Sequence, residues 1–115
     1  MSWKIEFFKD NRGNSPVEEF LKGLQKEERA KAIRFLTWLE ELGVELGPPH
    51  TKPLKGQKPL WELRPMPNRL IYFLHTNRRF IILHGFTKKR NDTSKQDIAT
   101  ANRNMQTFLE REGNK

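Results

Sequence analysis

The sequence predicts an α+β fold. It reads as an N-terminal strand, a two-helix hairpin, an antiparallel three-stranded meander completing a four-stranded sheet, and a C-terminal helix, in one domain spanning 1–115. Two observations carry this. Between Leu60 and Phe86, three runs of β-branched, aromatic and aliphatic residues are broken at Pro65-Met66-Pro67-Asn68 and again at Thr76-Asn77-Arg78, which is the punctuation of strand, turn, strand, turn, strand. The flanking segments instead repeat apolar residues at i, i+3, i+4 and i+7, the period of a helix with one buried face. A chain of 115 residues suits one domain with one core.

Each element has its own warrant. Trp3, Ile5 and Phe7 alternate with Lys4, Glu6 and Phe8, as in a half-buried strand. Asn11 to Asn14 is turn chemistry. Ser15-Pro16-Val17-Glu18 combines an N-cap serine, a proline at the first helical position and a glutamate three residues after the cap, a capping box. The helix it starts would bury Val17, Phe20, Leu21 and Leu24. A second helix runs from about Glu27 to Leu42, with Ala32, Phe35, Leu36, Leu39 and Leu42 on one stripe and Gly43 as its stop. Val44 to Pro59 is a connection rich in Gly and Pro that carries His50, Lys52, Lys55 and Lys58. After the meander, Thr87 to Asp92 reads as a basic turn. Thr93 or Ser94 then caps a last helix to about Glu110, with Ile98, Ala101, Met105 and Phe108 as its core stripe. The tail from Glu112 to Lys115 should fray.

Charge is divided along the chain. The net charge is +8. Up to Gly47 there are eight Lys/Arg against nine Asp/Glu, and from Pro48 onward fourteen against five, so the excess lies on the sheet half. Such asymmetry favours phosphate partners, because each neutralised phosphate releases counterions whatever the sequence bound. With no cysteine there is no disulfide framework and no thiolate metal site. The start lacks the long apolar region of a signal peptide, and no apolar run nears the roughly 20 residues of a membrane span. A cytoplasmic protein is expected.

No glycine-rich phosphate loop, GxSxG or HExxH is present, and the acidic residues of the basic half are too few and dispersed for a two-metal site. His50, His75 and His84 lack helical ligand spacing, so no metal and no cofactor are expected. What remains is a set of cations: Arg64 and Arg69 about the first break of the meander, the loop lysines, and Lys88-Lys89-Arg90 after its last strand. Cutting RNA without a metal needs help removing the 2′-OH proton, stabilisation of a phosphorane-like transition state, and a proton for the departing 5′-oxygen. Arg and Lys supply the second directly. A lysine whose reference pKa is about 10.4 must fall well below it to act as a base.

The order of elements resembles the RelE/ParE toxin superfamily. The strings LWELR, NRLIYFLH and IILHGFTKK are similar to its HigB-like, phage-derived RelE-type branch, over about Ile5 to Phe108. The resemblance implies a RelE-like fold and a metal-independent, ribosome-dependent mRNA endonuclease, the toxin of a toxin-antitoxin system, which leaves a 2′,3′-cyclic phosphate. It implies that Arg64 and Arg69 bind the phosphate and stabilise the transition state, and that Lys89 aids the leaving group or the phosphate. His50 and Lys52 match basic residues of the loop before the sheet. Lys55, Lys58, His84, Lys88 and Arg90 complete the expected RNA-binding set. The implied partners are a helix-turn-helix antitoxin, the ribosome and mRNA, with no membrane and no small-molecule cofactor. Leu60 and Glu62 stand where some relatives carry strand lysines, and Tyr72 is the sole tyrosine, which leaves the general base open, with His84 and Tyr72 as substitutes that core packing would equally explain. Two alternatives remain: a gyrase-binding toxin like the ParE branch, and an inactive remnant that binds RNA or an antitoxin. A basic set converging on one sheet face favours RNA.

Overall fold

The computed structural model describes residues 3–89 and 93–113. In chain order they form β1 (Lys4–Phe7), α1 (Pro16–Lys22), α2 (Lys26–Leu42), a 3₁₀ turn (Gly43–Glu45), β2 (Thr51–Pro53), β3 (Trp61–Leu63), β4 (Asn68–His75), β5 (Arg79–Thr87) and α3 (Lys95–Gly113). The expected α+β order stands, with one strand more than expected. The sheet has five strands in the order β1-β5-β4-β3-β2. All neighbours are antiparallel except β1 and β5. The extra strand, β2, lies in the Gly/Pro-rich connection, where pairing of Thr51 with Leu63 and Lys52 with Glu62 imposes an extended backbone.

The helix caps form as their residues dictate. The Ser15 hydroxyl accepts from the Glu18 N–H at 3.2 Å, satisfying one orphan donor of α1. Arg29 of α2 donates to the carbonyls of Leu21 and Leu24 at 3.1 and 3.0 Å, closing the other end of α1. Of the two candidate caps for α3, Ser94 does the work: its Oγ accepts from the Asp97 N–H. Gly43 ends α2 with φ of 59°, and a β-carbon there would run into the Trp3 ring.

The two faces of the sheet are covered differently. On one, α1 and α2 bury Val17, Leu21, Ala32, Phe35 and Leu39 against Leu63, Leu70, Tyr72 and Ile82. On the other, α3 lays Ala101, Met105 and Phe108 over Ile71, Phe73, Ile81 and Leu83. Each Val, Leu, Ile, Phe or Met side chain among these, when fully buried, contributes about 1.5–3 kcal/mol. Between these strands the ladder slips, because Ile71 pairs with His84 while Tyr72 pairs with Ile82. Leu83 is the extra residue of a bulge. The bulge sends Leu83 and His84 to the same face, beneath α3, and lets Gly85 face Phe20 of α1, where a β-carbon would come within 2.7 Å of the ring. Among the described residues no helix is long and apolar enough to cross a membrane.

Candidate nucleic-acid interface

The α3 face carries polar residues near the end of the sheet where β2 and β3 lie. Ladder pairing sets Lys52 beside Glu62, Glu62 beside Ile71, and Ile71 beside His84. Arg64 follows Glu62 by two residues and Arg69 precedes Ile71 by two, so alternation brings all of them to one side. Glu62 is the centre. Its Oε1 lies 3.4 Å from Arg69 Nε and 3.6 Å from Arg64 Nε, and its Oε2 accepts the Thr93 hydroxyl. Glu62 is 2% exposed, Arg69 1% and Arg64 25%.

Neither arginine Nε makes a hydrogen bond, so the attraction to Glu62 is chiefly Coulombic. Arg69 instead donates from Nη1 to the Asn68 carbonyl at 3.0 Å. Above this cluster opens a cleft of about 180 Å³ lined by Lys52, Lys55, Glu62, Lys88 and Thr93, with Pro53, Leu54 and Ile98 as its apolar wall. Two arginines thus pair with this carboxylate and three lysines line the cleft beside it. Burial pushes the Arg69 guanidinium below its ordinary range, Glu62 opposes that, and Arg64 reinforces it. Lys88 is likewise held below the usual lysine value, by burial first and then by Arg69, with Glu62 pulling the other way. A cluster with surplus positive charge and partly desolvated cations is a ready anion site.

The family model described as phage-derived protein Gp49-like matches residues 19–106. The chain belongs to this Gp49-like family, a family of RelE-like toxins. No curated protein matches it. The matched span of the Gp49-like chain includes α2, β2 to β5, and the residues of the cleft.

Of the cations expected from the sequence, Lys52, Lys55, Arg64, Arg69 and Lys88 of this Gp49-like chain come together. The others go elsewhere. His50 sits edge-on between Phe35 and Trp38, at 5.3 and 5.2 Å, on the α2 side; only its carbonyl serves the cleft, accepting from the Arg64 N–H at 2.9 Å. Lys58 is exposed in the turn before β3, and Lys89 is exposed beyond the lining of the cleft. His84 has Nε2 at 2.7 Å from Asp97 Oδ1 and stacks on Phe86, which anchors the first turn of α3. Arg90 lies outside the described residues. Tyr72 is buried in the opposite core, and burial pushes its hydroxyl well above the ordinary phenol range. Among the described residues no group of three or more His, Asp or Glu could hold a metal ion.

The sequence offers Glu62 both as a departure from relatives and as an ion-pair partner for Arg64, which forms; its second pairing, with Arg69, and the role of Thr93, expected only as one of two caps, come from the fold. The signal for Glu62 was present: Glu62 and Arg64 stand two apart in a strand, and therefore on one face.

Proposed function

We propose that the chain is the toxin of a toxin-antitoxin pair and cuts mRNA on the ribosome without a metal ion, in the manner of a HigB-like, RelE-type enzyme. The observation that supports it most is the meeting of Lys52, Lys55 and Lys88 over the Glu62–Arg64–Arg69 cluster. In this reading a phosphodiester enters the cleft and its non-bridging oxygens meet Lys52, Lys55 and Arg64. The 2′-oxygen attacks phosphorus, its proton passes to water, and the bond from phosphorus to the 5′-oxygen breaks. The products are a 2′,3′-cyclic phosphate and a 5′-OH.

The cations stabilise the extra charge of the phosphorane-like transition state, at positions fixed before substrate arrives. Lys88 donates the proton to the leaving 5′-oxygen. Its depressed pKa makes it a readier donor than a free lysine. Glu62 holds both arginines and, through Thr93, the approach to α3. Arg69, at 1% exposure, acts from beneath as fixed charge.

The cleft is short, so an isolated strand would make few contacts in it. The ribosome supplies the missing orientation by presenting the message extended and aligned. The antitoxin partner that the family suggests is, in this reading, a helix-turn-helix protein.

The test is primer extension on a translated message after induction, comparing the wild type with the variant K52A/K88A. Breaks confined to translated sequence, ending in a cyclic phosphate and absent in the variant, are expected. An intact message accompanied by gyrase-linked DNA breaks would replace this reading with the ParE-like one.

A further inference from the structure

Asn68 opens β4 and has no exposed surface. Both polar atoms of its side chain are engaged. Oδ1 accepts from Thr87 Oγ1 at 2.7 Å, and Nδ2 donates to Glu28 Oε1 at 3.0 Å. Its backbone carbonyl accepts from Arg69 Nη1 at 3.0 Å. Asn68 and Thr87 are also the last pair of the β4–β5 ladder, and the next residue, Lys88, donates its N–H to the Pro67 carbonyl at 2.9 Å. Glu28 comes from α2, across the sheet from the cleft. Lys31 of the same helix donates from Nζ to the Met66 carbonyl at 3.1 Å. The turn between β3 and β4 is therefore gripped from the far side of the sheet.

A buried amide bonded at both ends keeps one rotamer, and its satisfied bonds to Thr87 and Glu28 stiffen that contact. Arg69 is the second residue of β4 and Lys88 directly follows β5, and Asn68 is bonded both to Arg69 and to Thr87, the last residue of β5. We propose that Asn68, clamped by Glu28, is the positioning residue of the cleft, fixing the Arg69 guanidinium and the Thr87–Lys88 strand end relative to each other. This rests on the nuclease reading and extends it to a residue that meets no substrate.

The experiment is a swap of donor and acceptor, measured as steady-state cleavage of a ribosome-bound message. In N68D the carboxylate still accepts from Thr87 but faces the Glu28 carboxylate across a partly buried contact, where like charges repel. In N68D/E28Q an amide donor is restored from the other side. A misplacement of about 1 Å costs roughly 100-fold, so kcat of N68D should fall about that far while KM stays within about threefold. N68D/E28Q should regain most of the loss, and E28Q alone should change little, since its amide oxygen still accepts from Asn68. Hydrogen exchange at the Lys88 amide should follow the same pattern, lost in N68D and regained in the double variant. V17A, in the opposite core, serves as a control that lowers Tm without moving kcat.

Wild-type kcat in N68D would overturn the proposal. So would a double variant that regains Tm but neither kcat nor Lys88 protection, because that pattern belongs to a merely structural contact. Should N68D not fold, N68S decides: its hydroxyl reaches Thr87 but not Glu28, and a wild-type kcat there overturns the proposal equally. A wild type that cuts no RNA overturns the nuclease reading instead, and the Lys88 exchange pattern then judges the clamp by itself.

Discussion

At the C-terminal end of α3, Arg79 donates to Glu6 from Nε and Nη2 at 3.1 and 2.8 Å, and to Glu112 from Nη1 at 3.1 Å. At the other end, Arg64 and Arg69 approach Glu62 at 3.6 and 3.4 Å through nitrogens that make no hydrogen bond. Both clusters tie the same helix to the same sheet. In the first, carboxylates match or exceed the cations, and the hydrogen bonds to Glu112 and Glu6 raise Arg79 above its ordinary value. In the second, cations outnumber carboxylates, and Arg69 and Lys88 are both pushed down. A saturated cluster has little left to offer a ligand. An unsaturated one, opening into a cleft, has unmet attraction for an anion.

The comparison breaks most visibly at Glu62. Removing one partner of a buried pair strands the other charge, so E62Q should lose about 3–5 kcal/mol of unfolding free energy, read by denaturant titration. A loss under about 1 kcal/mol would mean that the arginines reach water without it. At the opposite end, R79A should cost about 2 kcal/mol, because it removes charge-assisted hydrogen bonds from a partly exposed site, with cleavage unchanged. Loss of cleavage in R79A at a temperature where it is folded would erase the distinction between the clusters.

Smaller effects sharpen the boundary of the cleft. K52A should weaken RNA binding and reduce the slope of log affinity against log salt by about 0.7, the share of one single-strand phosphate contact. K58A and K89A, outside the cleft, should leave that slope nearly unchanged. Lys88 also leaves a pH signature. Its folded pKa lies below the ordinary 10.5, so between those two values the unfolded chain binds more protons than the folded one. Stability should therefore rise with pH through that window. Below the window the full penalty of the buried charge is present. Urea midpoints measured across it for wild type and K88A should show the rise in the wild type alone.

Much of the fold was legible because alternation and helical period are local. The serine cap at Ser15 and the meander breaks at Pro65 and Asn77 needed no tertiary information. β2 escaped because three residues ending in Pro53 carry no pattern of their own; only β3 makes them a strand. The site was half legible. Lys52, Arg64 and Lys88 were visible as cations, yet nothing in the string Lys88-Lys89 says which one turns inward. That is decided by the bond from the Lys88 N–H to Pro67. His50 read as a loop ligand, but two aromatics of α2 enclose its ring. His84 needed the bulge at Leu83 to reach Asp97, and a strict two-residue alternation from Ile81 would have sent it to the other face.

The most direct measurement is the single-turnover cleavage rate of one ribosome-bound message by K88A and R79A, side by side at a temperature where both are folded. Loss of a positioned proton donor should slow K88A by about 10²–10⁴-fold, while R79A keeps the wild-type rate. Equal rates for K88A and the wild type would contradict the claim that the cation-rich end of α3 is where RNA is cut.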